Sequence, residues 1–325
     1  MKAMAHTTYG PPSVMRLEDV ARPVPGGDEV LIRVHAASVD PGVWHLTAGV
    51  PYLIRAMGFG LRAPKGRIRG EGVAGRVEAV GAAVTRFRPG DEVFGAGEGT
   101  FAQYACAKEG SLALKPGNLG FEQAAAVPVS ACTALQAVRN AGQLRAGQKV
   151  LVIGAAGGVG HFAVQLAKSF GAHVTGVCST DKTGLVRSIG ADEVIDYTRE
   201  DPTDGSRRYD LVLDTAGNRP LSRLRRALTA RGTLVIIGGE NGGRWIGGNE
   251  RQLGALLLSP FTGHRLRGLA VMRLDHSDLQ LLAELIEAGS LTPVIDRTYP
   301  LADVPEAIDY LMEGRSSGGK IVVQV

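Results

Sequence analysis

Residues 150–160 read VLVIGAAGGVG, and HFAVQLAKSFGAHVTGV follows directly. An apolar strand runs into a glycine turn, a helix opens, and a second strand follows the break at Gly171-Ala172. Glycines in that setting have a mechanical task. Gly157 and Gly158, between Ala156 and Val159, permit a tight turn and let backbone approach a pyrophosphate. Gly160 lets the helix pack close to the strand, and the helix N-terminus offers N–H groups and a partial positive charge. The chemistry this pattern serves is the binding of a dinucleotide.

The surrounding pattern gives that turn a scaffold. Up to about residue 122 the chain alternates short apolar β segments with Gly and Pro turns, as in EVLIRVHAASV from Glu29, GVAGRVEAVG from Gly72 and the turn Arg88-Pro89-Gly90-Asp91. Such spacing predicts an all-β barrel or a related β-rich unit. From Phe121 an alanine-rich helical stretch, FEQAAAVPVSACTALQAVRNAG, leads to the glycine turn. Strands VTGV, DEVIDY, YDLVLDTAG and TLVIIGG then alternate with helix-period segments, which predicts a parallel, doubly wound sheet. RLRGLAV (265–271) follows. A helix from about Ser277 to Ala288, a strand near Val294–Tyr299, a helix from Val304 to Glu313 and the strand KIVVQV complete the chain, and the last strands are expected to return to the first unit. Two loops stand out: 49–70, long, apolar and basic, and 238–249, rich in glycine with one tryptophan. Loops of this kind either line a substrate site or make surface and subunit contacts.

A chain of 325 residues accommodates two domains, and 44% hydrophobic with 21% charged residues is a globular composition. The 36 basic and 32 acidic residues leave a formal charge of +4, too small an excess to point to nucleic acid. Arg219, Arg223, Arg225, Arg226 and Arg231 form the one local basic cluster, with spacing that suits a solvated helix face. Cys106, Cys132 and Cys178 are isolated, as in a reducing cytosol. No export signal and no membrane span are expected, so the location read from sequence is cytoplasmic.

AASVDPGVW (36–44), GEGVAGRVEAVG (70–81), RFRPGDEVFG (86–95), AAAVPVSACTALQAV (124–138), GAAGGVG (154–160), GADEVIDY (190–197) and the terminal GKIVV, in that order, resemble the medium-chain dehydrogenase/reductase superfamily, specifically its zinc-free quinone oxidoreductase-like branch. The resemblance spans essentially the whole chain. It implies an α/β protein: a discontinuous GroES-like β-rich substrate domain (1–122 and 276–325) and a Rossmann domain with a doubly wound parallel sheet (123–275). It also implies hydride transfer from a nicotinamide cofactor in the cleft between them, and commonly a homodimer or homotetramer. A homodimer is the expectation here.

Zinc-dependent relatives carry a cysteine in the segment matching Ala37–Asp40 and a histidine at the position of Gly70. The third ligand position falls near Val129-Ser130, without cysteine. The cysteines of a structural zinc lobe are also missing between Val93 and Lys108. Zinc requires three or four donors at one point, so the expectation is a metal-free protein. Without a Lewis acid, substrates that delocalise the incoming charge are favoured, such as a quinone or an α,β-unsaturated carbonyl.

The resemblance also assigns site residues. An acidic group at the end of the second strand of such a sheet binds the ribose 2′-hydroxyl and would repel a 2′-phosphate. In this chain that strand ends in Cys178-Ser179-Thr180, and Asp181 is followed at once by Lys182. Similar NADPH-dependent reductases hold the phosphate with a lysine at the position of Lys182, a tyrosine at that of Tyr197 and a small polar residue near Ser179. The expected cofactor is therefore NADPH. Thr133, Ala216, Gly217, Gly238 and Gly239 match positions lining the rest of the cofactor cleft. Tyr52, His45 and Asp40 lie in the segment that faces the nicotinamide in relatives and are the candidate catalytic side chains, although Asp40 stands where quinone reductases often have asparagine.

These observations converge on an NADPH-dependent oxidoreductase that reduces a small-molecule quinone or enone. A zinc-free alcohol dehydrogenase or an enoyl-thioester reductase is the enzymatic alternative. The non-enzymatic alternative is a nucleotide- or RNA-binding protein, favoured only by the arginine cluster; neither a nucleic acid nor a membrane is an expected partner.

Overall fold

The computed structural model describes residues 1–239, 243, 245, 247, 249–269 and 274–325. The chain opens with β1 (Lys2–Ala5) and β2 (Arg16–Asp19), which pair antiparallel. β3 (Glu29–Val39) is buried along nearly its whole length because it is shared. Its first half pairs with β6 (Tyr104–Lys108), and its face toward the sheet centre pairs with β4 (Gly72–Val80). β5 (Glu92–Ala96) and β7 (Leu112–Leu114) extend the sheet beyond β4. Between β3 and β4 lie α1 (Pro41–Ala48) and the single turn α2 (Tyr52–Ile54). Pro41 starts α1 at a position where its missing N–H costs nothing, and Gly49, at φ 63°, stops it in the left-handed conformation.

The alanine-rich segment does not form one helix. Pro128, without an N–H, ends α3 (Phe121–Ala126) and begins α4 (Pro128–Leu135). Ala124, Ala125, Ala126, Ala131 and Ala134 are fully buried in one core that also contains Ala36, Ala74 and Val322 of the sheet built on β3 and Val150, Val152 and Phe162 beyond it. Small side chains at this seam let both sheets approach the same pair of helices.

The alternating part follows: β8 (Lys149–Ile153), α5 (Gly160–Ser169), β9 (His173–Cys178), α6 (Thr183–Ser188), β10 (Glu193–Asp196), β11 (Tyr209–Asp214), α7 (Leu221–Arg226), β12 (Leu228–Ile236), α8 (Asn249–Leu258) and β13 (Arg265–Gly268). The strands are parallel in the order β10-β9-β8-β11-β12-β13. Order reverses between β8 and β11, the switch point at which such sheets bind ligands beyond their strand ends. Of RLRGLAV, Arg265–Gly268 is strand, and Ala270 and Val271 lie outside the described residues. The arginine cluster does not share one helix face: Arg223, Arg225 and Arg226 are in α7, Arg231 is in β12 and Arg219 precedes the helix.

α9 (His276–Glu287) is capped by Asp275, whose carboxylate accepts from the Asp278 N–H at 2.9 Å. β14 (Ile295–Pro300), α10 (Val304–Met312) and β15 (Lys320–Gln324) then bring the chain back. β15 lies parallel to β14 and antiparallel to β3, giving the order β14-β15-β3-β4-β5-β7. The last strands thus join the sheet begun by the first.

Candidate active site

Each glycine of the turn after β8 has a distinct local reason. A Cβ on Gly160 would stand 2.0 Å from the Gly154 carbonyl oxygen and 2.9 Å from the Ala155 Cα, so the start of α5 packs directly on the turn. A Cβ on Gly157 would meet only the Gly154 oxygen, at 3.3 Å; the space beside it is otherwise open. On Gly158 it would meet Lys320 Cδ at 3.2 Å and Ser130 Oγ at 3.5 Å, so that side of the turn is filled by the other sheet's last strand. The N–H groups of Gly158 and Val159 have no backbone acceptor among the described residues. Open space at Gly157, free N–H groups and the N-terminus of α5 fit a dinucleotide pyrophosphate. The Ala156 carbonyl accepts from Gly319 N at 2.8 Å. His161 braces the turn from below: its Nδ1 lies 3.0 Å from the Gly157 oxygen, and its Nε2 accepts from Val294 N at 3.3 Å. Those partners require the neutral ring with its proton on Nδ1. Burial agrees, pushing the His161 pKa down to about 4.

At the ends of β9 and β10 the structure brings Ser179, Lys182 and Tyr197 into one region, with Tyr197 N bonded to the Cys178 oxygen and Lys182 N to that of Ser179. Tyr197 is exposed. The Lys182 ammonium donates to the Ser316 carbonyl at 2.6 Å, which uses one of its three protons. The Ser179 hydroxyl donates to Asp181, holding that carboxyl below the ordinary value. Burial pushes the Cys178 thiol up to about 11 and Cys132 higher, so neither is a nucleophile.

Ala216, Gly217, Gly238 and Gly239 follow β11 and β12. A Cβ on Gly217 would be 2.7 Å from the Gly238 carbonyl carbon, and one on Gly238 would be 2.2 Å from the Thr215 oxygen. Glycine is required there because two loops pack backbone to backbone. Arg251 of α8 clamps the same corner: it pairs with the fully buried Asp214 at 2.5 Å and donates to the Arg219 oxygen at 2.7 Å. The Thr133 hydroxyl in α4 donates to the Val129 oxygen at 2.6 Å.

The three candidate catalytic residues occupy different settings. Asp40 is tied up: it pairs with the buried Lys320 ammonium and accepts from Ser38 at 2.7 Å and Ser130 at 3.3 Å. His45 Nδ1 lies 2.7 Å from the Val50 oxygen. Tyr52 packs edge-on against Trp245, 5.4 Å between ring centres, and Leu53 N donates to the Trp245 oxygen at 3.2 Å. The two unusual loops therefore meet each other, linking the β-rich part to the parallel-sheet part. The Arg55 guanidinium stacks over Tyr9 and Tyr52 and braces the first of them. Of the second loop, Glu240–Gly242, Arg244, Ile246 and Gly248 lie outside the described residues.

Beside Asp40 and Lys320 stands Glu71, an exposed residue whose carboxyl is partly desolvated by the protein packed around it. Desolvation raises that carboxyl above the ordinary range; Asp40 adds to the rise and Lys320 offsets part of it. No group of three His, Cys, Asp or Glu side chains among the described residues is placed to hold a metal ion. The role of Lys320 had one sequence signal, a lysine opening an otherwise apolar strand. Asp214 likewise closes an apolar strand, and Arg251 had no signal at all.

Comparison with known proteins agrees with this architecture. Residues 26–136 match the alcohol dehydrogenase GroES-like domain family, and residues 189–323 match the zinc-binding dehydrogenase family. The fold is that of a two-domain nicotinamide-dependent oxidoreductase, one domain GroES-like and the other a Rossmann-type parallel sheet. The chain belongs to the medium-chain dehydrogenase/reductase superfamily, in its quinone oxidoreductase-like branch. It is 33% identical to a chloroplast envelope quinone oxidoreductase homolog of Arabidopsis thaliana, covering 100% of this chain and 98% of that one. It is 34% identical to a mitochondrial NAD(P)H oxidoreductase of Mus musculus, over 91% of this chain and 81% of the other. The solved quinone oxidoreductase from Coxiella burnetii superposes with a TM-score of 0.86 at 29% identity, covering 100% and 99% of the two chains. Among the described residues no helix is long and apolar enough to cross a membrane.

Proposed function

We propose that this oxidoreductase uses NADPH, without zinc, to reduce a quinone or an α,β-unsaturated carbonyl in the cytosol. The observation that carries the reading is the open space at Gly157 beside the N–H groups of Gly158 and Val159, with Ser179, Lys182 and Tyr197 gathered at the ends of β9 and β10. When bound, the nicotinamide supplies the hydride. The N-terminus of α5 holds the pyrophosphate, and Lys182 turns its remaining ammonium protons to the 2′-phosphate. Ala216, Gly217, Gly238 and Gly239, fixed by the Arg251–Asp214 pair, form the wall beyond β11 and β12, and Thr133 lies on the α4 side. Tyr52 orients the substrate carbonyl at the loop contact with Trp245, and His45 holds that loop through Val50. Among the described residues no ligand set for a metal is assembled, so charge that develops on the substrate is spread over a conjugated system and met by hydrogen-bond donors. A homodimer completes the reading: β13 is an edge strand, and Leu253, Leu256, Leu257 and Phe261 near it are exposed. Steady-state rates with NADPH and NADH against quinones, enones, enoyl thioesters and simple ketones test the reading. Turnover confined to simple ketones, or to NADH, would refute it.

A further inference from the structure

The ends of three neighbouring strands carry a charged cluster beside the glycine turn. β15 pairs with β3 so that Ile321 faces Val39, and β3 pairs with β4 so that Ala37 faces Val73. Continuing those registers sets Lys320 beside Asp40 and Glu71 beside Val39. The Lys320 stem also fills the side of the turn at Gly158, so the cluster lies against the cofactor turn. Its members are not equivalent. The Lys320 side chain is 3% exposed and bonded to Asp40 and, at 3.4 Å, to the Val39 oxygen. Asp40 is fully engaged by Lys320, Ser38 and Ser130. Lys320 and Asp40 therefore neutralise each other as a closed pair. Glu71 is left over: among the described residues its carboxyl has no hydrogen-bond or ion-pair partner, and it is open to solvent.

We infer that Glu71 is the proton donor of the reaction, a catalytic acid set beside the Lys320–Asp40 pair by the register of β4 on β3. This rests on the reductase reading above. Hydride addition to the β-carbon of an enone breaks the conjugated double bond and leaves an enolate, while the nicotinamide is oxidised. The Glu71 O–H then breaks, its proton goes to the enolate, and the resulting carboxylate regains a proton from water. Asp40, from the turn into α1, and Lys320, from β15, are the charged groups that act on Glu71; the Ser38 and Ser130 hydroxyls point to Asp40 instead.

The test compares wild type with Glu71→Gln. Turnover of a cyclic enone should fall about a hundredfold or more, and the decline of wild-type kcat with rising pH should vanish. Reduction of a quinone, whose reduced anion is protonated readily by water, should fall less than tenfold, and the Kd for NADPH should not change. Independently of turnover, infrared spectra of the cofactor-free protein should show a protonated carboxyl band that persists above the ordinary glutamate range and is missing in Glu71→Gln. Equal enone rates and pH profiles in the two proteins, or no such band, would overturn the role of Glu71 while leaving the reductase reading intact. A wild-type protein inactive on quinones and enones alike would overturn the reductase reading instead, and the infrared band would still be read. If Glu71→Gln does not fold, Glu71→Asp serves: a displaced pH limb supports the proposal, and an unchanged limb overturns it.

Discussion

Gly157→Val separates binding from folding at the glycine turn. The only neighbour that the added Cβ would meet is the Gly154 oxygen at 3.3 Å, a contact relieved by a shift of a few tenths of an ångström. Gly157 also has no positive φ to strain. The folding cost is therefore about 1 kcal/mol, typical of a single substitution. The ligand loses far more. The methyl groups stand in the open space next to Gly158 and Val159, and each charge-assisted bond from those N–H groups to a phosphate oxygen contributes about 1.5–3 kcal/mol. Losing two raises the Kd for NADPH by about two to four orders of magnitude. Fluorescence titration reads the Kd, and circular dichroism with thermal melting reads the fold. Gly160→Ala is the counterpart. Its Cβ would stand 2.0 Å from the Gly154 carbonyl oxygen, so the smaller side chain should lower Tm more than valine at Gly157 does. A folded Gly157→Val that binds NADPH with wild-type affinity would refute the placement of the pyrophosphate, and the redox function with it.

The remaining predictions are more local. Lys182→Ala should weaken NADPH by about 1.5–3 kcal/mol, roughly ten- to a hundredfold, and leave NADH almost unchanged in parallel titrations; equal losses would show that Lys182 does not read the phosphate. The purified protein should contain no stoichiometric zinc by elemental analysis, and chelators should leave turnover unchanged; one tightly held zinc per chain would contradict the proposed mechanism. His161 has a folded pKa of about 4 against an ordinary 6.5, so between those values the unfolded chain holds a proton that the folded chain refuses. Its contribution is complete above pH 6.5 and is lost as pH falls toward 4, up to about 3 kcal/mol. Denaturant melts of wild type and His161→Gln across that range should diverge by this amount, and parallel curves would argue against a neutral buried ring.

Local sequence carried the elements because local physics makes them. Period-two apolar runs with turn residues between them gave the strands of the first sheet. The alternation after Val150 gave the parallel sheet, and Gly157 and Gly160 gave a turn whose contacts at those two positions fall on Gly154 and Ala155, a few residues away. The alanine-rich stretch was legible as helix but not as two helices at a seam. Proline chemistry supplies the break, whereas the reason for so many alanines lies in two sheets brought together from distant parts of the chain. The glycines after β11 and β12 suggested a cofactor wall by position, yet their necessity comes from one loop lying on the other.

The sequence by itself determined the class of fold and the place of the glycine turn between β8 and α5, since each depends on neighbours in the chain or on a pattern that repeats along it. Only the tertiary structure decided what stands opposite that turn. Lys320 reaches Asp40 across 280 residues and Arg251 reaches Asp214 across 37. No spacing rule encodes these pairs, because strand order and register, set by the whole packed core, choose which distant side chains meet. Glu71 could be read from sequence as a carboxylate, but its isolation follows from the closed pairing of Asp40 with Lys320, and its raised pKa from desolvation first and the Asp40 charge second, with Lys320 offsetting part of the rise.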